Sequence, residues 1–338
     1  MPFATSPLQF KQSSIGLILG LGIGVVLLCL CFLAGILLGA ADISPTMVWQ
    51  SLSEFDGSTN HLIIRTVRLP RAIMAVVVGA ALAAAGAITQ GLTRNPLAAP
   101  DILGINVGAA LAMVLAVFLG IGSRAVGFAF IGAAIAAVTV YWLGSMGRSG
   151  LTPLKLVIAG AALSYLLSSI TTGVLILSQR TLEEIRFWLA GSLAGQDMSS
   201  LLPILPYICV GLIGSLTLGR QLTLLSLGED VAQGLGLQTV WIKAAAAVTV
   251  VLLAGSAVAL AGPIAFVGLV VPHVVRFGVG VDYRWILPYA MIAGGILLSV
   301  ADIAARLIIR PQELPVGIMT ALVGAPFFIY LARSQIKR

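Results

Sequence analysis

The run Arg68-Leu69-Pro70-Arg71, with Arg65 one helical turn earlier, places three guanidiniums within seven residues. A guanidinium is permanently charged and meets a carboxylate through two parallel hydrogen bonds, so this spacing suits capture of Asp or Glu side chains from another molecule. The same residues would equally serve as interfacial anchors, their stems lying along apolar surface while the charge reaches water. A second candidate is Leu227-Gly228-Glu229-Asp230-Val231-Ala232-Gln233-Gly234-Leu235-Gly236-Leu237. It reads as a short helix with Glu229 and Asp230 in the first turn, where the macrodipole favours acid, and Gly236 at its end. Leu227, Val231, Leu235 and Leu237 give it one apolar side, fit either to lie on a membrane or to insert into a partner's groove. The third is Asn95–Gly104, where Pro96 and Pro100 break the helical pattern and a tight connection is expected.

Other chemistries find no residues. The chain lacks a Gly-x-x-x-x-Gly-Lys-Ser/Thr phosphate loop, a His-Glu-x-x-His pair and any Ser/His/Asp set on neighbouring segments, so no catalytic residue, metal site or cofactor is expected. Cys29, Cys31 and Cys209 sit in apolar runs without metal-ligand or disulfide spacing and read as small packing residues. His61 reads as a solvated loop residue at the outer mouth, and His273, near a helix end, as structural rather than metal-binding. Uphill movement would need a partner that hydrolyses ATP or an ion gradient. Ion-coupled carriers place ionisable groups near the bilayer midplane, whereas Asp101, Asp197, Asp282 and Asp302 fall near helix ends and the helix centres are almost uncharged. Backbone carbonyls can also bind sodium, so that rival keeps one route open.

The elements that must position these residues are set by composition. Of 338 residues, 59% are hydrophobic and 9% charged, against about 25% charged in a soluble domain. So apolar a surface needs lipid as its solvent. The net charge of +7 is scattered between apolar segments and marks no nucleic-acid face. A span needs about 20 mostly apolar residues, which gives Ile15–Ala40, Leu69–Ile88, Ile102–Leu119, Ala125–Leu143, Leu156–Leu177, Leu201–Leu218, Ala244–Leu260, the shorter Ile264–Phe277, Trp285–Ile308 and Val316–Leu331. The fold class is thus all-α and polytopic, with about ten transmembrane helices. Gly262-Pro263 and Pro272 punctuate the run from Ala244 to Val281 and split it into one full and one short helix; left unsplit, it would make nine. The stretch from Ile15 to Ala41 exceeds the apolar core of a cleavable signal, about 7–15 residues, and reads as a retained first helix.

Ten spans put both termini on one side. The positive-inside rule makes that side the cytoplasm, with eleven Lys/Arg inside, Lys11, Arg94, Arg148, Lys155 and Lys243 among them, against eight outside. The eight include Arg65, Arg68, Arg71, Arg306 and Arg310, a cluster rather than a scatter. Between spans, Asp42–His61 reads as an outer loop with a short helix opened by Ser44-Pro45, Gln179–Trp188 as a charged interfacial helix, and Arg220–Gln238 as the longest cytoplasmic loop. One membrane domain is expected over 1–338, with an inner tail at 1–14 and a cytoplasmic loop at 220–240. Gly79 to Gly86, Gly132-Ala133-Ala134 and Gly294-Gly295 would let helix backbones approach closely.

Several ordered motifs resemble the FecCD family of ABC permeases: Arg68–Arg71 with Gly79–Gly86, Asn95–Gly104 with Asn106, Leu227–Leu237, and Gly262 through His273. Ala301–Arg306, Glu313-Leu314-Pro315-Val316-Gly317 and Gly324-Ala325-Pro326-Phe327-Phe328 complete the set. The resemblance implies the type II, cobalamin-importer-like fold and a permease that works as a pair, with a second copy or a paralogue, around a central path. It implies two cytoplasmic ABC ATPases bound at Leu227, Gly228, Glu229, Asp230, Ala232, Leu235 and Gly236. Outside, it implies a substrate-binding protein whose glutamates pair with Arg68, Arg71 and Arg306. Arg65 and Arg310 are not part of that pattern. The family carries ferric siderophores, haem and cobalamin; Ile185–Leu193 looks most like the siderophore members, and outward histidines suited to haem are few.

Overall fold

The computed structural model describes residues 14–39, 43–146, 152–310 and 312–336. The expected inner tail, Arg148, Lys337 and Arg338 lie outside the described residues. Lipid offers no hydrogen bonds to a backbone, so the apolar runs close their own amide–carbonyl ladders as helices. Helix α1 covers Ser14–Leu37. Ser44 accepts a hydrogen bond from the Met47 amide and caps α2, Pro45–Ser53, whose proline stands in the first turn. Ser58 caps α3, Thr59–Ile63, which runs through a π-turn at Ile64–Arg68 into α4, Leu69–Thr93. The joined helix spans 35 residues, so the second crossing begins ten residues before the expected Leu69; the π-turn carries the chain through the arginines without a break.

Arg94, with φ +52°, ends α4, and a 3-10 turn at Pro100–Leu103 follows. Then come α5 (Ile105–Phe118), α6 (Ala125–Ser145) and α7 (Pro153–Leu177). The expected interfacial helix is α8, Gln179–Leu189, followed by the single turn α9, Met198–Leu201. The sixth crossing starts at Leu205 rather than Leu201, because Pro203 interrupts the ladder, while Pro206 fits the first turn of the helix that follows. It is α10, Leu205–Thr217, bent by 53° into α11, Gly219–Ser226. The segment Arg220–Gln238, expected as a loop, thus holds most of α11 and then α12, Glu229–Gly234. Helix α13, Thr239–Val250, passes through a second π-turn at Val251–Gly255 into α14, Ser256–Ala261. A break at 262–266 separates it from α15, Val267–Val279, where the proline pattern places it; α16 (Tyr283–Leu307) and α17 (Val316–Ile336) close the bundle. Among the described residues six helices are long and apolar enough to cross a membrane, the α10–α11 pair makes a seventh, and three shorter apolar helices bring the number to the expected ten.

Helix α4 is buried along most of its length and organises the rest. Helices α16 and α15 lie against it, and both seats are glycine on glycine. A Cβ on Gly79 would strike the Gly294 carbonyl, and one on Gly86 the Gly268 carbonyl. With no hydrophobic drive between helices in lipid, such backbone approach supplies the dispersion contact that holds them. Because α4 has 25 residues, its ends lie about 37 Å apart. Arg71 marks one end and Arg94 the other.

Candidate functional site

At the Arg71 end the three arginines expected to meet a binding protein turn inward. Arg68, Arg71 and Arg306 are each no more than 5% exposed. Arg68 Nη1 donates to the carbonyls of Ile36 (2.9 Å) and Leu37 (2.7 Å). Arg306 Nη1 donates to Gly35 (3.0 Å) and Leu38 (2.9 Å). Two guanidiniums thereby take up the carbonyls that the end of α1 leaves without helical partners, and sit where its dipole is negative. Arg71 holds Asp302 through Nε and Nη2, both at 2.9 Å, and Glu313 through Nη1. Arg306 Nη2 reaches the other Asp302 oxygen at 3.0 Å. Asp302, inside α16 and 1% exposed, is therefore clasped between two arginines. These guanidiniums, expected either to pair with carboxylates of another molecule or to anchor at the interface, sit on acceptors of their own chain. Arg65 stays on the exposed rim, stacked 4.4 Å over the Phe55 ring and bonded to the Ser51 carbonyl, and Arg310 is exposed as well.

His61, expected in solvent, is 5% exposed, because α3 carries it inward and Asp56 Oδ1 meets its Nδ1 at 2.8 Å. Hydrogen bonds from Ser58, and after them the His61 charge, hold the Asp56 carboxyl below the usual range. The cysteines are also misplaced by the sequence reading. Cys29 and Cys209 face outward and Cys31 is half-exposed, so they meet the helix surroundings rather than fill the core. His273 packs edge-on to Phe277 and Phe327, with ring centroids 5.0 and 6.3 Å away. Among the described residues no group of three His, Cys, Asp or Glu could hold a metal ion.

At the Arg94 end the expected short helix is present as α12. Gly228 (φ +125°) turns the chain out of α11 and Gly236 (φ +84°) turns it again after α12. Ala232 is fully buried beneath it. Glu229 Oε1 accepts from Lys243 Nζ at 2.7 Å and from Thr239 at 3.2 Å. The Lys243 bond, with Arg94 adding its charge, holds the Glu229 carboxyl below the ordinary range. Asp230 is exposed. One face is thus anchored and the other left bare: Leu227, Val231 and Leu235 are half to two-thirds exposed, and Val240 and Trp241 in the first turn of α13 are exposed as well. Leu237 is half-buried and does not join it fully.

Between the ends, the Asn95–Gly104 connection faces the α14–α15 break across a narrow cleft lined by Asp101, Asn106, Phe266 and Leu269 among others. Asn106 donates to Asp101 across its turn. Phe266 has φ +70°, a conformation that costs a non-glycine residue on the order of 1–3 kcal/mol and persists only where its surroundings enforce it. The stretch Ile185–Leu193 proves to be scaffold for this break. Trp188 Nε1 donates to the Ala259 carbonyl, Ser192 N to that of Ala261, and Gly317 N to that of Gly191.

Residues 27–334 match the FecCD transport family, and the chain belongs to that family. It is 49% identical over 322 residues to the "Probable siderophore transport system permease protein YfiZ" of Bacillus subtilis, covering 93% of this chain and 97% of that one. It is 45% identical to the iron(3+)-hydroxamate import permease FhuB of the same organism, covering 98% and 87%, and 38% identical to the ferric enterobactin permease FepD of Escherichia coli, covering 93% and 94%. A solved metal-chelate type ABC transporter in an inward-facing conformation superposes with a TM-score of 0.81 at 29% identity, covering 94% of this chain and 99% of that one. The chain is accordingly a multi-pass membrane protein of the ABC-importer permease class.

Proposed function

We propose that this chain is the permease subunit of a bacterial importer that moves ferric siderophore complexes, hydroxamates foremost, across the cytoplasmic membrane. The observation that carries the cargo is the likeness to two relatives, 49% identical to a siderophore permease over 93% of this chain and 45% identical to an iron-hydroxamate permease over 98% of it. In a bacterium deleted for its own hydroxamate permease, expression of this chain with its transport partners restores uptake of radioactive ferric hydroxamate. Restoration of haem or cobalamin uptake alone overturns the assignment.

In this reading the chain is one membrane domain with no ATP site of its own. The Arg94 end faces the cytoplasm together with both termini and the 1–14 tail. The 220–240 segment, through α12, receives one of two partner ATPases, and a second permease subunit, a copy or a paralogue, completes the path. The Arg71 end faces outward and receives the binding protein. Its arginines are already engaged, so docking proceeds by exchange: a carboxylate of the binding protein takes the place of Glu313 on Arg71. Glu313 fits that part because its side chain is 32% exposed, against 1% for Asp302. Glu313→Gln then raises the affinity for the binding protein severalfold in surface plasmon resonance on the reconstituted permease; an unchanged or lower affinity sinks the exchange.

A further inference from the structure

A chain of part-buried polar contacts runs from α11, the helix that leads into α12, to the central cleft. It begins at Thr223 on α11, six residues before α12 opens at Glu229. Thr223 Oγ1 accepts from the Tyr283 amide at 2.9 Å and lies 3.2 Å from Asp282 Oδ1 and 2.9 Å from the Gly219 carbonyl, to either of which it can donate. The Tyr283 hydroxyl accepts from Arg276 Nη2 at 2.7 Å, and Arg276 Nη1 donates to Gln90 Oε1 at 2.7 Å. Gln90 Nε2 in turn donates to the Leu269 carbonyl at 3.1 Å. Leu269 lines the cleft with Phe266 and Asp101. Four helices, α11, α16, α15 and α4, are thus joined in series, and Gln90 and Tyr283 are no more than 3% exposed.

Two features argue that this series carries movement. The first is redundancy. The Gly86–Gly268 seat already brings α4 and α15 together, and the ring of Tyr283 already fills the space that Gly91 leaves open. Apolar residues of similar shape would hold those helices as well, and buried polar groups in such a site are harmful unless every one is satisfied. The second is the nature of the two ends. Gly228 alone lies between Leu227, which caps the end of α11, and Glu229 at the start of α12, so displacement of α12 reaches α11, and the 262–266 break between α14 and α15 holds Phe266 in a strained conformation, φ +70°. Hydrogen bonds are short and directional, so a chain of them permits a few discrete arrangements rather than continuous slip. A coupling of this kind stands or falls on a measured two-state change at the far end.

We infer that Thr223, Tyr283, Arg276 and Gln90 are positioning residues for transport: they transmit displacement of α12 to the α14–α15 break and so set the width of the cleft at Phe266. The inference rests on α12 as the ATPase contact but not on the identity of the cargo. Its test uses the assembled transporter in liposomes, with Cys29, Cys31 and Cys209 replaced by serine and spin labels at Leu97→Cys and Ala265→Cys, one on either side of the cleft. Pulsed electron paramagnetic resonance then reads the inter-label distance with and without a non-hydrolysable ATP analogue. The expected result is a nucleotide-dependent shift of several ångströms that falls by at least half in Thr223→Val and in Tyr283→Phe and survives in Thr223→Ser, which keeps the hydroxyl. The ATP consumed per ferric hydroxamate imported rises at least fivefold in the first two variants, while their ATPase rates stay within twofold of the parent. The relay is overturned if the parent complex shows no shift, if the shift persists in Thr223→Val and Tyr283→Phe, or if Thr223→Ser behaves as Thr223→Val does. It is also overturned if the two variants do not assemble, since the contacts are then scaffold. A parent complex that shows the shift but imports no ferric hydroxamate overturns the cargo assignment and leaves the relay standing.

Discussion

The two ends of α4 hold their charged groups in opposite ways. At the Arg71 end the charges point inward. Arg68 and Arg306 close the end of α1, Asp302 lies between Arg71 and Arg306, and Glu313 alone is substantially exposed. At the Arg94 end the charge serves as a peg. Glu229 on Lys243 fixes one face of α12 and leaves Leu227, Val231 and Leu235 outside. The first arrangement is rigid and self-sufficient, and a newcomer must displace something to bind. The second is incomplete as it stands, and a newcomer need only cover it. Part of the reason is the strength of a pair as a function of burial, because screening weakens an exposed ion pair while a buried one keeps its attraction.

The contrast can be broken most forcefully at Asp302. Asp302→Ala leaves two buried guanidiniums short of a partner and costs about 3–5 kcal/mol, read as a large drop in the unfolding midpoint of the detergent-solubilised protein. The matching change at the other end, Asp230→Ala, stays within about 0.5 kcal/mol. Equal effects would erase the distinction. Next in size is Val231→Asp. It places a charge on the bare face of α12, so retention of the partner ATPase on purification falls at least tenfold, about 1.4 kcal/mol, with no change in the unfolding midpoint. A variant that keeps its ATPase would remove the apolar patch as the contact.

The smallest effect concerns the peg itself. The Glu229 carboxyl is held lower in the folded chain than in the unfolded one. Its contribution is therefore fully present above the ordinary glutamate range, near 4.3, and is lost as the pH falls through the lower folded value. In a chain retaining Trp241 as its single tryptophan, emission stays flat from pH 8 to about 5 and changes only below the ordinary glutamate range. A transition near neutrality would mean that Lys243 does not hold this side chain.

Much of this was legible in the residues. The ten apolar runs became helices, among the described residues seven of crossing length, counting the bent α10–α11 pair as one, and three shorter, because helix closes the backbone's own hydrogen bonds in lipid. Ser44-Pro45, the acidic first turn at Glu229 and the Gly262-Pro263 break were readable because each signal is local, a cap, a dipole or a missing donor. The arginine cluster was visible as an exception to the positive-inside rule, yet its inward orientation was not. That orientation depends on Asp302 and on the α1 carbonyls, which lie more than two hundred and about thirty residues away from Arg71 and Arg68 respectively. His61 was misread for the same reason, since only α3 brings it inward beside Asp56. Gln90 and Tyr283 gave no signal beyond being polar residues at the ends of apolar runs, and only the fold brings them to Arg276.

Helix α1 lies along α16, Gly24 beside Ile292 and Leu28 beside Gly295, and is tied by hydrogen bonds near both of its ends. Near one, the Tyr289 hydroxyl donates to the Leu17 carbonyl at 2.6 Å, in space that Gly20 leaves open; at the other, Arg68 and Arg306 grip the carbonyls of Gly35 through Leu38. Only 6% of its apolar window is buried. Twenty-one residues of helix separate Leu17 from Leu38, a rod of about 31 Å, against a hydrocarbon thickness of about 30 Å. α1 thus has about the length of the hydrocarbon layer and a hydrogen-bonded tie near each end. Tilting is one response to a thinner membrane, and because one tie is the arginine cluster, tilt would pull on the α4–α16 joint.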